Sequence, residues 1–346
     1  MRTTPPEIPV PAAARFDDAM EAWVLTRYAD VLAALREPRL TAGGARGGTE
    51  LDRAAHLRFR ARASAAASGM LAEWLERLGP LARDMASALP GDRTVDLVGE
   101  LAQPWSAQIA RCLACPGGDP DRLAALSGDI FAAAANPRDT ALQARAEQAT
   151  LELAGAFSGE LAAFHVQAFV ALSQTLPCFL ANAWLALLDD PERAEMLRAE
   201  PELMPQAIEE LLRHSGPSRA QFRRAAEGVE LGGATIAKGD RVALMLAAAN
   251  RDPEQFPEPA RLDFRRGPPR HLAFGEGRQA CIGASLVRAA SESATAAFIE
   301  NFAGARVEQP VEWRGGFAIC APASLLVSRC CTAASENNRQ PAVTDR

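Results

Sequence analysis

Apolar residues recur at three- and four-residue spacing through DVLAALREPRL and through RAAHLRFRARASAAASGMLAEWLERLGPLARDMASAL. The first run predicts a short helix ended by proline, the second one or two long consecutive helices. The same period predicts helices over roughly 121–136, 140–163, 161–189, 191–199 and 202–214. The pattern then changes. GVELGGATIAKGDRVALMLAAAN alternates β-type residues around Gly-Gly and Lys-Gly-Asp turns, which predicts short strands and a hairpin. A Pro- and Arg-rich coil over 251–271 follows, then a helix to about 301 and β-like pieces such as GFAICAPASLLVSR. A helix-rich chain with a small late β part and no βαβ alternation is neither a dinucleotide-binding fold nor a barrel. The reading is mainly α: one domain over 20–328 with a small β region, an extension over 1–19 and a disordered tail over 329–346.

One stretch, LAAFHVQAFVALSQTLPCFLANAWLALL (161–188), carries no charge and is long enough to span a bilayer. It also carries His165, Gln167, Ser173, Gln174, Thr175 and Asn182, with Pro177 in its middle. Those polar groups are costly against lipid, so the segment reads as a helix buried inside a soluble domain and no membrane partner is expected. The N-terminal stretch shows no apolar signal core. A formal net charge of −6 argues against nucleic acid as a partner. Seven cysteines at irregular spacing do not form a disulfide framework. Cys112 and Cys115 sit in an apolar helical stretch and read as packing rather than metal binding; a reducing cytoplasm is the expected compartment.

The stretch HLAFGEGRQACIGASL raises the chemical question. Cys281 follows two glycine-bearing turns and begins a helix, whose N–H groups and dipole favour a negative sulfur. Gly275, Gly277 and Gly283 let backbone pass close to a flat, bulky group, and Phe274 can pack beside the sulfur. From spacing alone a metal ligand, a redox thiol and a packing thiol all remain open. In AIEELLRHSGP, Glu210 and Arg213 stand at i,i+3 spacing on one helix face; alone, that is an ordinary solvated pair.

FGEGRQACIG resembles the haem-binding signature of the cytochrome P-450 superfamily, Phe-x-x-Gly-x-(His or Arg)-x-Cys-x-Gly, through Phe274, Gly277, Cys281 and Gly283. The resemblance, over roughly residues 20–325, implies the mainly α cytochrome P-450 fold and a haem b cofactor. It implies Cys281 as proximal thiolate ligand of the iron, with Phe274, Gly275 and Gly283 lining the cofactor. It further implies that His56, Arg60 and Arg223 hold the haem propionates. Glu210 and Arg213 are implied to form a buried structural cluster with an arginine of the Pro-rich coil, matched here to Arg261.

The sequence departs from the family at three places. Gln279 stands where His or Arg usually meets a propionate. In the long helix, Ala171-Leu172-Ser173-Gln174-Thr175 stands where oxygen-activating members usually carry Ala/Gly-Gly-x-Asp/Glu-Thr. The threonine is kept, but an amide replaces the acid that relays protons, and Leu172 fills the place of a glycine that allows helix distortion. Thr175, Gln174 and Ser173 are the candidate catalytic residues; Phe169, Leu172, Leu176, Ser218, Arg219 and Gln221 are candidates for substrate contact. Only fifteen residues separate Leu40 from His56, so the substrate-covering lid is reduced. The expected function is oxidative tailoring of a small molecule, free or carrier-bound, in bacterial secondary metabolism. A ferredoxin-type electron donor is expected to dock near Arg58, Arg62 and Arg278. A peroxide-using or non-oxygenating haem-thiolate enzyme and a haem-binding sensor are the alternatives.

Overall fold

The structure is a computed structural model and describes residues 7–42, 51–114, 117–267, 270–308 and 310–329. Cys115, Cys330, Cys331 and most of the expected tail lie outside the described residues.

The largest sheet among the described residues has five strands. Its strands are β1 (Arg15–Asp17), β2 (Ala22–Leu25), β3 (Leu40–Ala42), β5 (Gln221–Ala225) and β8 (Arg241–Leu244), in the order β1-β2-β8-β5-β3. β4 (Val95–Asp96) pairs with β12 (Leu326–Ser328), which also pairs with β9 (Arg306–Val307). β6 (Val229–Leu231) and β7 (Ala234–Ile236) make the hairpin that the Gly-Gly turn predicts. Gly232 and Gly233 both take positive φ there, as a tight two-residue hairpin turn requires. A last hairpin joins β10 (Trp313–Gly315) to β11 (Cys320–Pro322). The ordered fold begins before residue 20, because β1 pairs in register with β2 (Phe16 opposite Trp23). Within the stretch expected to be strand, Leu246–Ala249 instead closes into a helical turn, α10, below.

The helical part comprises α1 (Tyr28–Arg36), α2 (Leu51–Ser87), α3 (Gln103–Ala114), α4 (Pro120–Ala135) and α5 (Thr140–Ala154). There follow α6 (Ala162–Val170), α7 (Leu176–Asp189), α8 (Pro191–Ala199), α9 (Met204–Ser215), α10 (Leu246–Ala249) and α11 (Ala284–Asn301). Side-chain caps start several of them. Asp119 accepts from the Arg122 N–H, and Asp139 from those of Ala141 and Leu142, which satisfies first-turn donors otherwise left open.

α6 and α7 are two halves of one helical run, Ala162–Asp189, which is long and apolar enough to cross a membrane by length and composition. It runs through the fold instead. Leu176, Phe179, Leu180, Ala183, Trp184 and Leu187 are buried in the main hydrophobic cluster with Trp105, Ile109, Leu211 and Phe298. Burying a leucine-sized side chain contributes about 1.5–3 kcal/mol, and this run buries many. Trp184 stacks on Phe298 of α11 with ring centroids 5.1 Å apart, which ties the run to the helix that follows Cys281.

Candidate active site

Cys281 sits where four elements meet. Its backbone N–H donates to the Phe274 carbonyl (2.8 Å), closing the loop that precedes α11. The loop is fixed from behind: Gly277 has φ +70°, and a Cβ there would lie 2.9 Å from the Leu35 carbonyl, so only glycine fits. Gly275, at φ +68°, lies against Gln221 of β5. From α2, Arg60 donates to the Ala280 carbonyl (2.5 Å). Ile282 packs against a small cluster that joins Ala63 and Ala67 of α2 to Phe164 of α6. Around the ring of Phe274, Arg288 stands 4.7 Å from the centroid and His271 5.8 Å.

Cys281 is exposed although the elements around it belong to the core. Its surroundings are still dense enough that burial pushes the thiol above its ordinary pKa, against the opposing pull of the Gly283 N–H, Arg288 and Arg60. The helix start alone therefore does not ionise this sulfur; a bound metal cation would do so.

Arg223 tests whether a cofactor with carboxylates fits here. It is 8% exposed, donates to the Gln221 side chain (2.8 Å) and the Phe222 carbonyl (2.9 Å), and among the described residues no carboxylate pairs with it. Burial lowers its pKa, the mark of a cation without its counter-charge. Buried guanidiniums are normally paired, and a propionate beside Gln221 and Gly275 would supply the missing partner. A Cβ on Gly283 would meet nothing within 4 Å, so the space beside the cysteine is open. The residues present fit a flat, carboxylate-bearing metal cofactor. His56 lies in α2, but its side chain is outside the described residues. Gln279 is exposed.

The long helical run presents two unlike faces. Ala163, Gln167 and Ala171 are exposed in mid-helix and Thr175 is partly so, which marks the face over open space. Phe169, Leu172 and Leu176 are 4%, 3% and 2% exposed and belong to the main core cluster. The expectation that these three contact substrate is thus corrected: they point into the helical core, where Phe169 meets Phe157 with ring centroids 6.2 Å apart.

The expectation that Leu172 removes the helix distortion is corrected too. Ala171–Thr175 forms a π turn, in which the Leu176 N–H reaches back five residues to the Ala171 carbonyl. The cause is Pro177. It has no N–H to give the Ser173 carbonyl, and its ring crowds the preceding turn. With the Leu176 N–H spent on Ala171, the carbonyls of Leu172 and Ser173 both lack their usual i+4 donor. A proline after the threonine thus does what the family's glycine does before it. Pro177→Ala restores the donor and is expected to convert the π turn to plain α-helix. Removing the extra residue rotates the preceding segment by roughly 100°, carrying Ala171 off the open face. A crystal structure of the variant, and slower amide exchange at residues 176–178, check this.

Ser173 Oγ is buried without a partner. Gln174 turns to α4: its Nε2 donates to Ser127 Oγ (3.0 Å), and its carbonyl accepts from the Cys178 thiol (3.1 Å). Gln174 is an anchor between helices, while Thr175 stays on the open face. Behind Cys178 lies Arg314 of β10, whose Nη2 is 3.4 Å from the sulfur and whose guanidinium carbon is 5.8 Å from the Phe131 ring centroid. Sequence reasoning did not single out Arg314.

The Glu210 cluster is built differently from expectation. Arg213 grips Glu210 through two hydrogen bonds (2.7 and 2.8 Å), with side chains 0% and 1% exposed. The second cation is Arg266, whose Nε lies 3.1 Å from Glu210 Oε1. Arg261 contributes only its carbonyl, which accepts from Arg213 (3.2 Å) and Arg266 (3.1 Å). Its side chain is 55% exposed and pairs with Glu258. Ser218, at an isolated bridge to Ile319, and Arg219 line a separate cavity, whereas Gln221 stands beside Arg223.

A cytochrome P450 family model matches residues 159–312 of this chain. The chain is 30% identical to cytochrome P450 107B1 of Saccharopolyspora erythraea over 355 aligned positions, spanning 87% of each protein. It is 31% identical to nocardicin C N-oxygenase of Nocardia uniformis subsp. tsuyamanensis over 357 positions, 89% of each. The crystal structure of the versatile cytochrome P450 enzyme CYP109B1 from Bacillus subtilis superposes with a TM-score of 0.80 at 25% identity, covering 92% of this chain and 96% of that one. A cysteine just before α11, a buried carboxylate–arginine cluster, and likeness at 30–31% identity over 87–89% of the chain converge on one assignment: this chain belongs to the cytochrome P450 family.

Proposed function

We propose that this protein is a haem-thiolate monooxygenase that binds haem b through Cys281 and oxidises a small organic molecule, free or carrier-bound, in bacterial secondary metabolism. The observation that carries the reading is the exposed Cys281 with open space at Gly283 beside it, together with buried Arg223, which no carboxylate meets among the described residues. The relative named for N-oxygenation of nocardicin C supports the chemistry and its setting.

When bound, haem supplies a thiolate-ligated iron at which oxygen is activated and an O–O bond is broken. The chain's own residues do the rest. Cys281 gives its sulfur, held in place by the loop hydrogen bond from its N–H to Phe274. Arg223, Arg60 and His56 would hold the propionates, and Phe274, Gly275 and Gly283 would line the cofactor. Thr175 presents a hydroxyl on the open face and moves a proton there, and Ser173, whose Oγ has no protein partner, extends the relay through water. Gln174 cannot release a proton, and its hydrogen bond to Ser127 turns it toward α4.

That hydrogen bond also favours a second reading, in which peroxide rather than dioxygen is the oxidant, since peroxide brings its own protons. Gln174→Glu separates the two. Under the monooxygenase reading, dioxygen-dependent turnover is expected to stay equal or rise several-fold, with peroxide-driven turnover unchanged. A dioxygen-dependent rate at background in both proteins, beside robust peroxide turnover, would decide for peroxide.

A ferredoxin-type donor is proposed to dock on the Cys281 side at Arg58, Arg62 and Arg278. Arg58 is exposed; Arg62 is exposed and pairs with Glu160, and Arg278 donates to the Pro38 carbonyl (2.9 Å). Arg58→Glu is expected to slow reduction by the donor several-fold with substrate affinity unchanged, as stopped-flow reduction and spectral titration would read. Equal reduction rates would remove Arg58 from the docking surface.

A further inference from the structure

Beside the cysteine loop stands a charged pair that the proposed chemistry leaves unused. Arg288, in the second turn of α11, is gripped by Glu209 of α9 through two hydrogen bonds, Nε to Oε1 (2.5 Å) and Nη2 to Oε2 (3.0 Å). Their side chains are 36% and 25% exposed, so solvent screens the pair only in part.

The guanidinium lies against the residue that fixes the cysteine. Its carbon is 4.7 Å from the centroid of the Phe274 ring, and the Phe274 carbonyl accepts the Cys281 N–H (2.8 Å). Burial raises the Cys281 thiol, and the Gly283 N–H, Arg288 and Arg60 pull against it, so the charge of Arg288 reaches the sulfur. Glu209 stands one hydrogen bond further out. Its Oε2 also lies 3.4 Å from Nε2 of His271, a buried ring whose Nδ1 accepts from the Ala273 N–H (3.2 Å). Burial pushes the Glu209 carboxyl up, but His271 and Arg288 hold it at about 2, so it stays charged near neutral pH. Glu292, four residues on from Arg288, is pushed up by burial and by Glu209, which leaves Glu209 the firmer counter-charge.

Fixed charges near a metal centre are among a protein's levers on its potential. With haem on Cys281 as proposed above, we infer that Arg288 and Glu209 form a charged pair that sets the reduction potential of the iron. Arg288 raises the potential, and Glu209 restrains it. On reduction one electron passes from the donor to the iron, and no protein bond forms or breaks. The site gains one negative charge, which Arg288 stabilises and Glu209 opposes. Both are positioning residues, because neither touches substrate: Arg288 acts across Phe274, and Glu209 acts by its opposite charge and its grip on Arg288.

The test is a spectroelectrochemical titration of substrate-free, haem-loaded protein, with dithionite as reductant and ferricyanide as oxidant. Each protein is first reduced under carbon monoxide to establish the red-shifted band. Arg288→Gln is expected to keep that band and to lower the reduction equilibrium constant about tenfold, a downward shift of about 59 mV for a one-electron couple. Arg288→Lys keeps the charge and is expected to stay within about twofold of wild type, while Glu209→Gln is expected to raise the constant about threefold. A merely structural pair would move both potentials the same way, since either change loosens the same contact with Phe274. An unchanged potential in Arg288→Gln, or shifts of one sign in Arg288→Gln and Glu209→Gln, would overturn the inference and leave the haem-thiolate reading standing. Should Arg288→Gln fail to take up haem, Glu209→Gln decides alone, and a fall or no change there overturns the inference. Wild-type protein without the red-shifted band would overturn the haem-thiolate reading and the charged pair's role together.

Discussion

Cys281→Ser protein, reduced with dithionite and exposed to carbon monoxide, is expected to lose completely the strongly red-shifted Soret band that wild-type protein gives. A serine hydroxyl stays protonated where a cysteine becomes a thiolate, so the substitution removes the anionic sulfur donor and little else. The loop should survive, because the hydrogen bond to Phe274 comes from the backbone N–H of residue 281 and serine differs from cysteine by one atom. Helix content and unfolding midpoint should therefore stay near wild type. Wild-type protein with bound haem but a band typical of a neutral axial ligand would remove Cys281 from the iron and, with it, the proposed chemistry. A red shift retained in Cys281→Ser would do the same.

Much of this fold can be read from period and punctuation. Three- and four-residue apolar spacing places the helices, and Gly232-Gly233 places the β6–β7 turn, because those signals are local. The cysteine loop is legible for the same reason: Gly277 is needed where the chain passes the Leu35 carbonyl, and a glycine there leaves its mark in the sequence. The long helical run is legible as buried, yet not as to which face is which. It is uncharged and its polar residues are scattered round the helix, so no polar stripe points away from the core, and only the packing of Phe169, Leu172 and Leu176 in the core reveals the open side. The π turn had a local signal in Pro177, a residue that breaks the hydrogen-bond ladder when it stands in the interior of a helical run. The hydrogen bond from Gln174 to Ser127 joins residues 47 apart in sequence and leaves no local trace.

The third member of the Glu210 cluster shows the limit most sharply and gives the second large prediction. Arg261, Arg265 and Arg266 lie within six positions of an irregular coil, where no period says which side chain turns inward. The structure turns Arg266 in, with its side chain 12% exposed, and leaves Arg261 at 55%. Glu210 Oε1 then accepts from Arg213, Arg266 and the Asp263 N–H, and the two guanidiniums hold five carbonyls, those of Asn250, Pro257, Glu258, Pro259 and Arg261. Removing one partner of a buried ion pair costs about 3–5 kcal/mol. Arg213→Ala is expected at the upper edge, since it strips Glu210 of both fork hydrogen bonds. Arg266→Ala is expected at the lower edge, about 3 kcal/mol, because Arg213 still meets the carboxylate. Arg261→Ala breaks an exposed pair and should cost less than about 0.5 kcal/mol. Urea unfolding midpoints read all three. A cost for Arg261→Ala equal to that for Arg266→Ala would return Arg261 to the cluster, since a carbonyl contribution survives truncation of its own side chain and a charge contribution does not.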